Sequence, residues 1–103
     1  MDRDASDRLV SDLAVLGSIT SRPMFGGHGI YWNGRMFAIV FKGRIYLKVD
    51  DESRGDYLAR GMEPFRPNAR QTSRSYWELP PGVRDDPEEL IAWAKDAIRA
   101  AQS

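Results

Sequence analysis

The stretch PMFGGHGIYWNGRMFAIV, residues 23–40, decides how this chain folds. It places four glycines, an Asn-Gly pair and a run of apolar residues within eighteen positions. Two readings compete for Gly26-Gly27-His28-Gly29: a loop that cradles phosphate, or the entry to a β-hairpin. A dinucleotide loop needs a strand before its glycines and a helix after them, so that the helix N-terminus meets the pyrophosphate. Here the glycines lead into a strand-like run, and no helix start occurs before Asp50. The Gly-Lys-Ser/Thr of a P-loop is absent as well. The glycines therefore serve the backbone, permitting a sharp turn or bulge into a sheet.

Within and beyond that stretch, His28–Trp32 and Arg35–Phe41 flank Asn33-Gly34. Asn-Gly is the strongest short hairpin signal, because a type I′ turn needs positive φ at both central residues. Lys42-Gly43 then separates Phe41 from RIYLKV, residues 44–49, where Ile45, Leu47 and Val49 alternate with Arg44, Tyr46 and Lys48. That alternation predicts a strand with one dry and one wet face. Two registers are compatible with the Lys42-Gly43 turn. A two-residue turn puts Val40 on the side of Ile45 and leaves Phe37, Ile39 and Phe41 on the outer face. A three-residue turn exchanges them for Met36, Ala38 and Val40. Only the first exposes a hydrophobic patch that calls for a partner.

Before this meander, Leu9, Leu13 and Leu16 predict an amphipathic helix over 6–16, with Asp2, Asp4 and Ser6 as cap candidates and Gly17 as its stop. After it, Asp50-Asp51-Glu52 marks a second helix start; that helix carries Tyr57 and Leu58, is weakened by Gly55 and ends at Gly61. Pro64-Phe65-Arg66-Pro67 is extended, a polar loop comes next, and SYWEL reads as a strand closed by Pro80-Pro81. The last helix has the clearest start: Asp86 as N-cap, Pro87 at N1 and Glu89 at N3, with Leu90, Ile91, Ala94, Ala97 and Ile98 as its apolar face. The order α-β-β-β-α-β-β-α implies an α+β fold, a two-layer sandwich with one antiparallel sheet and helices on one face.

A chain of 103 residues is one domain, 1–103, with ordinary globular composition: 42% hydrophobic and 29% charged. Net charge is zero, which argues against strong nonspecific DNA binding. The charge is unevenly placed: residues 18–50 hold five Lys/Arg against Asp50 alone, so helices are acidic and strands basic. Without cysteine there is no disulfide, thiol catalysis or thiolate metal site. The acidic N-terminus does not resemble a signal peptide, and no apolar run approaches the ~18 residues of a membrane span. A cytoplasmic protein without membrane attachment is expected.

Chemistry is thinly signalled. His28 is the only histidine, and neither a triad nor a metal site can be assembled around it from sequence. The carboxylate pairs sit at helix starts, where capping accounts for them. No catalytic, cofactor-binding or metal-binding residue is assigned, and the chain is read as a non-enzyme. Three surfaces remain. Met24 and Phe25, beside Gly26 and Gly27, form an apolar turn that either anchors the core or fills a partner's pocket. Arg44, Tyr46 and Lys48, with Arg74, Tyr76 and Glu78, put aromatics among basic groups on one sheet face, either ordinary cross-strand packing or a single-stranded nucleic-acid platform. Arg66, Arg70 and Arg74, spaced by four through a polar loop, are either a solvated hairpin tip or a small-anion site.

These residues also carry a family resemblance. Arg22-Pro23-Met24-Phe25-Gly26-Gly27, Gly29-Ile30-Tyr31, Arg35-Met36-Phe37-Ala38, Leu47-Lys48-Val49-Asp50 and Ser75-Tyr76-Trp77-Glu78-Leu79-Pro80 resemble, in order, the N-terminal domain of the TfoX/Sxy family. Trp77 stands where another aromatic, often Tyr, is expected. The resemblance implies an α+β fold, no enzymatic activity and no cofactor, and a bacterial regulatory role in competence. It implies a protein partner in the transcription machinery, such as the cyclic AMP receptor protein. The C-terminal helical domain of two-domain members has no counterpart in these residues, so a stand-alone regulatory or protein-interaction module is expected.

Overall fold

The computed structural model describes residues 2–24 and 26–102. The order of elements is α1 (Asp2–Asp12), a 3₁₀ turn (Ala14–Leu16), β1 (Ile19–Met24), β2 (Gly27–Trp32), β3 (Arg35–Phe41), β4 (Arg44–Lys48), α2 (Arg54–Ala59), β5 (Pro64–Asn68), β6 (Gln71–Glu78), α3 (Pro81–Arg84) and α4 (Pro87–Gln102). The strands form one antiparallel sheet ordered β1-β2-β3-β4-β6-β5. The α+β sandwich is as expected, with two additions. Residues Ile19–Met24 form an edge strand, and a four-residue helix comes after Pro80.

Turn chemistry fixes the meander. Asn33 (φ 51°) and Gly34 (φ 82°) make the type I′ turn, and Lys42 (φ 50°) and Gly43 (φ 76°) repeat it. The second pair closes a two-residue turn, with Val40 opposite Ile45 and Phe41 opposite Arg44. The first of the two registers therefore holds, with one change. Between β2 and β3, Tyr31 pairs with Met36 but Ile30 pairs with Ala38, so Phe37 is an extra residue on β3. This bulge turns Phe37 to the helix side, where it packs fully buried beside Ala38 and Val40. Met36, Ile39 and Phe41 are left on the opposite face.

All four helices pack on one face. Leu9 of α1, Leu13 just after it, Tyr57 of α2, Val83 of α3, and Leu90, Ala94 and Ala97 of α4 join Ile30, Phe37, Val40, Ile45 and Leu47 in the main core. Helix α1 begins earlier than expected, and its last turn tightens to 3₁₀, so Ser6 lies inside the helix and is buried with no capping role. Trp32 Nε1 donates to the Leu16 carbonyl at 2.8 Å and ties that turn to β2. The start of α4 is as expected: Asp86 accepts from the amides of Glu88 and Glu89 at 3.1 and 3.3 Å. Among the described residues, no helix is long and apolar enough to cross a membrane.

The other face was expected to be wet and is not. Ile39, Phe41, Tyr46, Phe65 and Tyr76 form a second, smaller core there. Its cause is an irregularity in β6. Pro64 pairs with Trp77, but Phe65 already pairs with Ser73, so β6 advances by four residues while β5 advances by one. The mismatch bends the β5–β6 hairpin, as bulges do. Phe65 thereby reaches Phe41 edge-on (5.3 Å between centroids, 82°) and Tyr46 at 4.9 Å. Those strands are not neighbours of β5, so the sheet must curl strongly to bring these rings together.

Gly27 sits where a side chain has no room. A Cβ there would lie 2.2 Å from the Val40 carbonyl oxygen, a backbone atom of the paired strand that cannot yield. Gly27→Ala should cost about 3 kcal/mol or more in urea denaturation, at the upper end of overpacking penalties. Gly55 in α2 has open space around it, and Gly55→Ala should stabilise by about 0.5–1 kcal/mol by the same measurement.

Candidate groove on the outer sheet face

The glycine cluster is a hairpin device. Gly26 (φ 79°) lies in the turn between β1 and β2, and Gly27 and Gly29 lie within β2 itself. Gly29 continues directly into the rest of that strand, and the next helix starts at Arg54. His28 is half-buried on β2, and its buried Nδ1 has no hydrogen-bond partner among the described residues. Among those residues, no three His, Cys, Asp or Glu side chains converge into a metal-binding group.

The outer face holds an open groove of about 560 Å³ between the sheet and the bent hairpin. Its floor is Met24 from β1, Met36 and Ile39 from β3, Phe65 from β5 and Tyr76 from β6. Its far wall is the hairpin tip, with Pro67, Arg70, Gln71, Thr72 and Ser73. No carboxylate is among these lining residues. The depth comes from Gly29: a Cβ there would stand 2.8 Å from both Met24 Sδ and Met36 Sδ, so the two thioethers lie low over bare backbone. Tyr76 is locked in the floor by its hydroxyl, which donates to the Met36 carbonyl at 3.0 Å. Positive groups stand around the rim. Arg22 lies over the Tyr31 ring at 5.1 Å, and Lys48 lies over the Tyr76 ring at 5.3 Å.

The candidate contact residues are therefore distributed unevenly. Met24, Arg70 and Tyr76 meet in the groove, with Lys48 above Tyr76. Phe25 lies outside the described residues. Gly26 is exposed in its turn, whereas Gly27 is wedged beneath β3. Arg44 is held by Glu78 at 3.0 Å. The expectation of an open aromatic platform needs correction, since Tyr46 and Tyr76 are only 9% and 8% exposed. Phe65 covers the Tyr46 ring, and neither face is presented for base stacking as the sheet expectation required. The three loop arginines do not converge either. Arg66 pairs with Glu63 at 3.6 Å, and Arg74 lines a separate depression with Asp51, Arg54 and Trp77. Arg70 alone of the three reaches the groove.

Sequence reasoning put Ile39 on the outer face in the register that holds, but missed Met36, Phe65 and Pro67. Met36 and Ile39 share this face only because of the bulge, for which period-two alternation gives no signal. Phe65 was placed in a short extended segment, and nothing local to it shows that the hairpin folds back.

Burial pushes the Tyr76 phenol up to about 12, and nearby Tyr31 adds a smaller push. Tyr46 is raised as well, chiefly by burial with Glu78 second, and burial raises Tyr57 above the normal phenol range. In each case the folded state holds the proton more tightly than the unfolded chain. Their contribution is thus complete below the ordinary value of 10.0 and is lost as pH climbs through the raised ones. Through these phenols, urea midpoints should be flat from neutral pH to about pH 10 and fall steadily toward pH 12. Tyr76→Phe leaves the Met36 carbonyl without this partner and should cost about 1–3 kcal/mol at neutral pH. A spectrophotometric titration of that variant should show one late-ionising phenol fewer.

Comparison with known proteins places this architecture. The profile of the TfoX N-terminal domain matches residues 11–101. The DNA transformation protein TfoX1 of Aliivibrio fischeri (strain ATCC 700601 / ES114) is 26% identical over 94 residues, an alignment that covers 89% of this chain and 45% of the relative. The chain thus spans less than half the length of that curated relative.

Proposed function

The chain belongs to the TfoX N-terminal domain family, and from that premise we propose that it is a non-enzymatic regulatory module acting through protein contact. The relative's name, a DNA transformation protein, supports a role in the control of competence. The observation that carries the contact reading is the outer-face groove. It combines an apolar floor, two flexible methionines and a basic rim, the composition of a recognition surface that adapts to its partner. The expected partner is a protein of the transcription machinery, as the family resemblance implies; the cyclic AMP receptor protein is one candidate. Nucleic-acid binding loses its main support with the covering of the Tyr46 ring.

The test is made in the native bacterium. Deleting the gene should shift competence transcripts and lower transformation frequency, and the wild-type gene should restore both. Met24→Glu, placed at the groove and half-buried, should fold with native circular dichroism yet restore less than about a tenth of the response, as expected when a contact residue is inverted. Unchanged transcripts after deletion, or full restoration by a folded Met24→Glu, would count against the reading.

A further inference from the structure

The groove's chemistry is specific enough to describe its occupant. We propose that it docks a short protein segment in which one or two bulky apolar side chains are flanked by carboxylates. This rests on the contact reading above and names what that contact recognises. Three features carry it. The floor offers only apolar contact, through Met24, Met36, Ile39, Phe65 and the Tyr76 ring. The one charged residue in the lining is a cation, Arg70, and two more cations stand on the same face, Arg22 over Tyr31 and Lys48 over Tyr76, while the acids of that face, Glu78 and Glu63, are paired with Arg44 and Arg66. Those cations stand around the apolar centre and not within it, so acids on either side of an inserted side chain meet a complementary charge while the centre stays dry.

Size and plasticity agree with a peptide. A cavity of about 560 Å³ lies in the range that holds small ligands, and here that volume corresponds to a few inserted side chains. Two thioethers side by side can repack around leucine, phenylalanine or methionine, which suits a segment of a protein better than one rigid metabolite. A nucleic-acid strand fits less well, because it needs open rings for its bases and the groove offers Tyr76 already hydrogen-bonded into the floor. A second copy of the chain would need an apolar projection flanked by acids; Leu58, exposed on α2 near Asp56, is the nearest in type.

Two substitutions separate docking from folding. Arg70 is exposed at the hairpin tip, so Arg70→Glu inverts a rim charge at little structural cost. Gly29→Ala raises the floor, since its Cβ would displace both methionine sulfurs, which are ends of flexible side chains and can move. Both variants should melt cooperatively within a few degrees of the wild type.

The experiment is selection of a displayed library of random peptides, each about twelve residues long, on the folded chain, followed by fluorescence anisotropy of the enriched sequences. Enriched peptides should carry Leu, Phe or Met between Asp or Glu residues and bind at roughly 1–100 µM. Arg70→Glu should weaken them about tenfold or more, and raising salt from about 50 to about 500 mM should weaken them several-fold. Gly29→Ala should weaken them about as much as Arg70→Glu. The proposal is overturned by any of four results: no enrichment, enrichment of basic sequences, binding indifferent to both variants, or displacement of the peptides by a single-stranded oligonucleotide. Sedimentation showing a dimer that Arg70→Glu dissociates would overturn it too, in favour of a second copy. Failure here with an intact competence phenotype removes the docking chemistry and leaves the regulatory role; success without a phenotype does the reverse.

Discussion

The hydrogen bond from the Tyr76 hydroxyl to the Met36 carbonyl joins two strands, β6 and β3, that are separated by β4. It can form only because both ends are irregular. Met36 sits at the bulge of β3, where pairing with β2 shifts by a residue. Tyr76 sits where β6 leaves β5, at the point where the hairpin bends. Each defect alone would leave backbone groups in search of partners, and buried carbonyls without partners are costly. The Tyr76 hydroxyl satisfies the Met36 carbonyl at the β3 bulge, while at the β6 bend the Arg74 and Ser75 carbonyls accept from Trp77 Nε1 and the Val49 amide. The curl of the sheet, the second core and the groove go with these two irregularities, and the Tyr76 hydroxyl bond ties them together.

A small domain can thereby sustain two apolar clusters. The helix-side core takes the side chains that regular alternation supplies, together with Phe37, which the bulge adds. The outer cluster would be an exposed patch on a flat sheet, at a cost of about 1.5–3 kcal/mol for each large side chain left in water. Phe65 removes that cost by folding back onto Phe41 and Tyr46. Coverage stops at Met24 and Met36, which stay half-buried, because the hairpin tip turns polar at Asn68 and Gln71, where Asn68 Oδ1 accepts from the amides of Arg70 and Gln71 at 2.8 and 3.1 Å. The groove is the part of the outer face that the hairpin is too short to cover.

Much of the fold was legible because it rests on local chemistry. Asn33-Gly34, the Asp86-Pro87 start of α4, and the Ile45-Leu47 alternation each act within a few residues, and the structure matches them. Strand β1 was missed because Ser21-Arg22-Pro23 has no alternating apolar signal; it is a strand through its pairing with β2. Of the groove, Met24, Arg70 and Tyr76 were singled out from sequence but for separate surfaces. What joins them is a long-range bend, and Tyr46 reads as surface in any window that omits Phe65. Register defects and their consequences lie beyond periodicity, since a period-two pattern assumes the regularity that a bulge breaks.

The placement of the prolines has a consequence of a different kind. The two open margins of the sheet are β1 and β5. Strand β1 carries Pro23, and β5 carries Pro64 and Pro67. A proline has no amide hydrogen to offer an incoming strand, so each margin is interrupted as a template for another chain. A domain that leaves two methionines partly accessible in a groove is thereby guarded against fibre-like stacking at high local concentration. Sticky side chains and unreceptive backbone margins are kept apart, so adhesion at the one does not propagate through the other.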